Sequence, residues 1–149
     1  MKIAIGSDHR GFHAKDKLKA LLQGQGHEVI DLGTDSVQSV DYPDAAFPTC
    51  GKVKNGEADL GVLLCGTGIG MSITANKVPG IRAALCHDEL TAELSRRHNN
   101  ANVLCLPADL IGEELTRRIV EVWLQTSFEG GRHARRVQKI DEVERKGHE

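Results

Sequence analysis

The sequence predicts an α/β fold, in three layers: a five-stranded parallel sheet with helices on both faces and a C-terminal helical extension. Three observations predict it. Short apolar runs alternate with segments of helical periodicity, which is the pattern of βαβ units. The most apolar run, DLGVLLC at 59–65, has no polar face, as a strand covered on both sides requires. Right-handed crossovers between parallel strands then place helices on both faces. The 149 residues suit one domain, 1–149, large enough to bury a core without staples. Residues 130–149 are its C-terminal extension, expected to pack on a partner subunit.

The elements follow in order. Lys2–Gly6 is a short buried strand. Phe12–Gln23 is a helix with Phe12, Lys15, Leu18, Leu21 and Leu22 near one stripe, where Lys15 can lay its stem. Gly24 and Gly26 stop it, and His27–Asp31 is the second strand. Gly33–Val40 is loop; Tyr42-Pro43-Asp44 opens a helix with Pro43 in its first turn. Asp59–Cys65 is the central strand, followed by Gly66-Thr67-Gly68-Ile69-Gly70 and a helix to about Asn76. Ile81–Cys86 and Asn102–Leu106 are the fourth and fifth strands, with a helix at His87–Arg97 between them and another at Gly112–Gln125. Gly130-Gly131 breaks the chain before a charged helix, Arg132–Lys146. Its apolar residues Val137, Ile140 and Val143 recur every three positions, a thin stripe for packing on this chain or on a partner subunit.

Composition excludes several functions. With 19 Lys+Arg against 21 Asp+Glu, the net charge of −2 argues against general nucleic-acid binding, which shows a basic stripe. No run approaches the ~18 apolar residues of a membrane span, and the start, MKIAIGSDHRG, turns polar too soon for a signal peptide. The expected location is cytoplasmic, where thiols stay reduced. Cys50, Cys65, Cys86 and Cys105 form no CxxC, so no metal site is expected of them, and most should be small buried hydrophobes. Aromatic residues are only 3% of the chain, too few for a stacking platform. A small polar ligand would be held by charges, hydroxyls and backbone N–H groups.

In open parallel sheets, ligands bind beyond the C-terminal ends of the strands, near a switch in strand order. The first strand leads into Ser7-Asp8-His9-Arg10-Gly11, the third into Cys65 and GTGIG, the fourth into His87-Asp88 and the fifth into Pro107-Ala108-Asp109. Gly66–Gly70 has three glycines between a buried strand and a helix, so its amides can approach an anion closely. It is not a dinucleotide fingerprint, because Met71 takes the place of the third glycine; nor is Gly6–Gly11 a P-loop. Cys65 precedes the cradle, and a helix N-terminus lowers a thiol pKa. A thiolate there can attack a carbonyl or remove a carbon-bound proton while the amides hold an enediolate; the residues favour neither. Thr67 either bonds the thiol or a substrate oxygen, or merely stabilises the turn. Asp8 either orients His9 or binds a hydroxyl, or caps a helix. Arg132 and Arg136, four apart, share a helix face that suits a phosphate or is simply solvated. His98 ends the helix before the fifth strand, away from a site on its own subunit, so only a partner subunit could use it there.

The segments GSDHRGF, DYPD at 41–44, LLCGTGIGMSITANKVPGIRAALC at 63–86, SRRHNNANVL at 95–104 and EGGRHARRV at 129–137 resemble the ribose-5-phosphate isomerase B family, which includes galactose-6-phosphate and allose-6-phosphate isomerases. The likeness runs from residue 1 to about 145. It implies a Rossmann-like sandwich and a homodimer, sometimes paired into a tetramer, with sites built from both subunits. It also implies reversible isomerisation of ribose 5-phosphate to ribulose 5-phosphate, with no metal or organic cofactor. By resemblance, Cys65 is the base moving the proton between C1 and C2. Gly66, Thr67, Gly68, Ile69 and Gly70 hold the enediolate, His98 assists ring opening and Asn99 contacts the sugar. Asp8 and His9 bind the ligand, and Arg132 and Arg136 bind its phosphate. A second branch of the family uses a Glu just after the glycine loop; Met71 stands there, so the chain goes with the cysteine branch.

One departure is Asp109, where several members carry an Arg that helps hold phosphate; an acid there would repel phosphate or contact a hydroxyl. Arg10 and Arg135 are cations that could compensate. The rival readings are an isomerase of allose 6-phosphate, galactose 6-phosphate or a free aldose, and a non-catalytic phosphometabolite-binding module. The latter would keep the cradle and arginines but not both Cys65 and His98. A cysteine phosphatase is disfavoured because Met71 replaces the Arg of Cys-x5-Arg.

Overall fold

A computed structural model describes residues 1–149. Its strands are β1 (Lys2–Ser7), β2 (Glu28–Asp31), β3 (Leu60–Cys65), β4 (Ala83–Leu85) and β5 (Val103–Pro107). Its helices are α1 (Phe12–Gly24), α2 (Tyr42–Lys54), α3 (Ile69–Ala75), α4 (Glu89–Arg97), α5 (Glu113–Gln125) and α6 (Arg132–Gly147). The five strands form one parallel sheet in the order β2-β1-β3-β5-β4. The chain therefore leaves β1 in one direction to reach β2, and in the other to reach β3. That reversal is the switch point where open sheets bind ligands.

Alternation along the central strands separates two cores. Leu60, Val62, Leu64, Leu104 and Leu106 face one side, packed with Leu18 and Leu22 of α1, Ala92 of α4 and Ile119, Val120 and Trp123 of α5. Leu63, Cys65, Val103 and Cys105 face the other, with Ala45, Ala46 and Cys50 of α2 and Met71 and Ala75 of α3. Leu63 and Leu104 are fully buried, so truncating either to Ala would cost about 2–5 kcal/mol.

Several boundaries have local causes. β4 is shorter than the apolar run Ile81–Cys86, because the Ile81 N–H turns back to Val78 O and the Arg82 N–H goes to the Asn102 side chain. Proline 43 sits in the first turn of α2, where its missing N–H costs nothing. Lys15 is buried with Leu18 and Leu22 on α1, and its ammonium as well as its stem is enclosed. That charge is met by Asp31 Oδ1 and Thr34 O, both at 2.7 Å, which tie α1 to the end of β2 and the loop beyond. On α6 only His133 and Val137 are buried against the chain; Ile140 and Val143 of the stripe are exposed. No helix is long and apolar enough to cross a membrane.

Candidate active site

The C-terminal ends of β1, β3 and β5 converge on one set of loops. The N–H of Asp8 donates to Leu64 O at 3.2 Å, which draws the exit of β1 against β3. Asp8 does not cap α1. Its Oδ1 instead accepts the N–H groups of Arg10 and Gly11 at 3.0 and 3.1 Å, folding the carboxylate into a buried turn. Glycine is required at 11, since a Cβ there would lie 2.7 Å from Leu64 O. His9 Nδ1 accepts the Val40 N–H at 3.2 Å. The network thereby assigns the imidazole proton to Nε2, which is left as a donor.

Cys65 closes β3 with its side chain on the α2/α3 face, and the Gly68 N–H donates to its Sγ at 3.1 Å. That approach depends on Gly68 at φ +75°, where a Cβ would also meet Leu85 Cδ1 at 2.5 Å. The amides of Gly66, Thr67 and Gly70 donate to no acceptor in the chain. Gly66 is buried, Gly70 half-buried and Thr67 exposed, so these free amides at the start of α3 are open to water or to an anion. Thr67 Oγ1 accepts the Ile69 N–H at 3.2 Å, and its exposed hydroxyl can still donate. The Tyr42 ring lies against Gly70, where an added Cβ would come within 2.6 Å of Cζ. Asp109 is held at the rim by its N–H to Gly66 O at 3.0 Å, and its carboxylate accepts from Arg10 Nε. Arg10 is thus already paired rather than free. Met71 is fully buried in the core and takes no part.

The other cysteines sit apart from this chemistry. Burial pushes the Cys50 thiol up to about 12 and raises Cys86 and Cys105 as well. All four cysteines are free thiols.

The remaining candidates gather at the opposite end of the sheet. Gly61 is level with Val103 and Cys65 with Pro107, and four residues of strand span about 13 Å. α4 ends before β5 begins, so His98 and Asn99 lie at the far edge from Cys65. There the His98 ring stacks on His133, with centroids 4.1 Å apart and planes 6° from parallel. Glu129 Oε2 is 3.5 Å from His133 Nε2. Its Oε1 accepts from Arg97 Nε at 2.6 Å, and the Arg97 hydrogen bond holds the carboxyl below its usual range. Burial, then the His98 and Arg132 charges, hold His133 below the ordinary imidazole value. Arg132 and Arg136 project from the first turns of α6 and are exposed. The chain therefore carries two clusters: Asp8, His9, Cys65 and Gly66–Gly70 at one end, and His98, Asn99, Arg132 and Arg136 at the other. Sequence reasoning did not single out Glu129 and His133. Their four-residue spacing beside His98 in the neighbouring loop was the available signal.

His98, Glu129 and His133 offer ligand atoms within 4.8 Å of one another. The stacked rings send their in-plane lone pairs along parallel planes, so the two imidazoles cannot converge on one ion without one ring turning.

A parallel α/β sheet with a thiol and free amides at its switch point is the layout of an α/β protein that binds a small ligand beyond its strand ends. The chain belongs to the ribose/galactose isomerase family, whose model matches residues 3–140. It is 48% identical over 145 residues to ribose-5-phosphate isomerase B of Escherichia coli K12, covering 97% of each chain. A solved ribose-5-phosphate isomerase B from Clostridium thermocellum superposes with a TM-score of 0.97 at 52% identity, covering 98% of this chain and 99% of that one. The Mycoplasma genitalium enzyme, solved with bound ribulose-5-phosphate, gives a TM-score of 0.93 at 45% identity, covering 97% and 96%.

Proposed function

We propose that the chain interconverts ribose 5-phosphate and ribulose 5-phosphate through an enediolate, with Cys65 as the base. The observation that carries the reading is the pairing of Cys65 Sγ with the Gly68 amide beside three amides that lack acceptors. The base removes the C2 proton of the open aldose. The C–H electrons form a C1–C2 double bond, and the carbonyl electrons move onto O1. The amides of Gly66, Thr67 and Gly70 then face the developing charge, a contribution of about 2.7–4 kcal/mol per donor in comparable sites. Return of the proton to C1, with transfer of the O2 proton to O1, yields the ketose. The Nε2–H of His9 and the Asp8 turn bind the sugar, and Thr67 supports the enediolate oxygens.

The aldose enters as a furanose, so its ring must open first. His98 serves this step, Asn99 holds the sugar, and Arg132 with Arg136 receives the phosphate in a bidentate manner. These groups reach Cys65 only from a second copy of the chain. The homodimer is supported by exposed Ile69 and Ile73, four apart on α3 directly after the cradle, and by exposed Phe47 on neighbouring α2. The exposed Ile140 and Val143 of α6 offer a further surface to a partner. A C2 pair would form two identical sites.

The test is Cys65→Ala assayed for exchange of the C2 proton of ribose 5-phosphate with deuterium from solvent. Loss of exchange with substrate binding retained supports the reading; unchanged exchange removes Cys65 as the base. Mixing Cys65→Ala with His98→Ala subunits tests the shared site, since hybrid dimers regain one intact site only if the two residues act across the interface.

A further inference from the structure

We propose that His133 is a positioning residue for His98, holding its ring by stacking while Glu129 steadies His133 from its other side. This rests on the reading of His98 as the ring-opening group. Three observations support it. The two rings are 4.1 Å apart and nearly parallel, so His98 cannot swing without breaking the contact. His133 is about nineteen-twentieths buried, with 6% exposure, and its Nε2 has no hydrogen-bond partner. Glu129 Oε2 lies 3.5 Å from that nitrogen, beyond a good hydrogen bond but close enough to attract a proton there.

The charges around the pair decide how it behaves. Arg97 on α4 fixes Glu129, while Arg132 and Arg136 on α6 face His133 and oppose its protonation. Two imidazolium rings stacked at this distance repel each other, so a charge on one ring opposes a charge on the other. Ring opening needs an imidazole held in place. A proton leaves the anomeric hydroxyl, the bond from C1 to the ring oxygen breaks, and that oxygen takes up a proton. No net charge is gained. A neutral imidazole can take the first proton and return it, whereas one locked as imidazolium can only donate. His133 therefore keeps His98 aimed at the ring oxygen and anomeric hydroxyl.

The experiment separates ring opening from proton transfer between carbons. Ribulose 5-phosphate has no furanose form, so exchange of its C1 proton with solvent deuterium requires the base and cradle but no ring chemistry. Two variants are compared with the wild type. His133→Ala removes the stacking ring; His133→Phe keeps a ring and removes the charge. The expected result for His133→Ala is a fall of about 10- to 100-fold in kcat on ribose 5-phosphate, with KM and the ribulose 5-phosphate exchange rate within a few-fold of wild type. His133→Phe should recover most of kcat and displace the acid limb of the pH–rate profile. The inference is overturned if His133→Ala slows both reactions equally, or neither, or if His133→Phe leaves the pH profile in place. Wild-type protein that neither isomerises nor exchanges would instead sink the isomerase reading itself, and this inference with it.

Discussion

Arg10 and Asp109 form an ion pair across the loops that follow β1 and β5, and both side chains press on Gly66 at the rim of the cradle. A Cβ at Gly66 would lie 2.8 Å from Asp109 Oδ2 and 3.2 Å from Arg10 Nε. The acid, expected either to repel phosphate or to contact a hydroxyl, is paired with a neighbouring cation. Asp109→Asn should release Arg10 and lower KM for ribose 5-phosphate several-fold at low ionic strength, with the gain fading as salt rises. Steady-state kinetics at two salt concentrations check this. A KM that does not move would place the pair beyond the substrate's reach.

Gly68→Ala tests the cradle from its most constrained position. The left-handed conformation costs a non-glycine residue roughly 1–2 kcal/mol, and the contact with Leu85 adds to it. Urea denaturation should show a loss of at least that size. Since the shift also moves the amide from Cys65 Sγ, kcat should fall further than the loss of stability accounts for.

Alkylation should distinguish the four thiols. Burial raises Cys50, Cys86 and Cys105, with Cys50 at about 12, so these thiolates are scarce near pH 8. Native protein treated with iodoacetamide should lose activity as one equivalent is incorporated, and peptide mass spectrometry should find it on Cys65. Ribose 5-phosphate should protect. Modification elsewhere before inactivation would contradict the assignment.

Acid stability should report the Lys15–Asp31 contact. Burial pushes the Asp31 carboxyl up, but hydrogen bonds from Lys15 and the Gly33 N–H, with the Lys15 charge and a Lys19 hydrogen bond, outweigh it and lower the group below 3.8. A carboxylate depressed in the folded state contributes stability that is complete above its unfolded value and is lost as pH falls through the folded one. The wild type should therefore lose this contribution on acidification below about pH 4. Lys15→Met should start less stable at pH 7 and show a shallower dependence across that window. Equal slopes in denaturation titrations would show that the pair does not act on folding.

Much of this architecture was legible because it is written locally. The DLGVLLC run, the glycines of GTGIG and the helix at Gly112–Gln125 each depend on residues a few positions apart, and each appears within a residue of where it is expected. Boundaries were legible to within two residues, β4 included, where the Asn102 side chain takes the Arg82 amide and shortens the strand. Lys15 was readable as lying on an apolar face, but its complete burial was not, because that depends on Asp31 and Thr34 arriving from another element.

The sequence by itself determined that a thiol and a set of close-approach amides follow the central strand, because strand, loop and helix are contiguous there. It also placed His98 at the wrong end of the sheet for its own Cys65, since connectivity alone sets which end of a strand a loop occupies. Only the tertiary structure decided that Arg10 is taken by Asp109 and that His133 lies flat on His98. Those contacts join residues 99 and 35 positions apart. Both follow from the strand order β2-β1-β3-β5-β4 and the return path of α6, which periodicity along the chain does not encode.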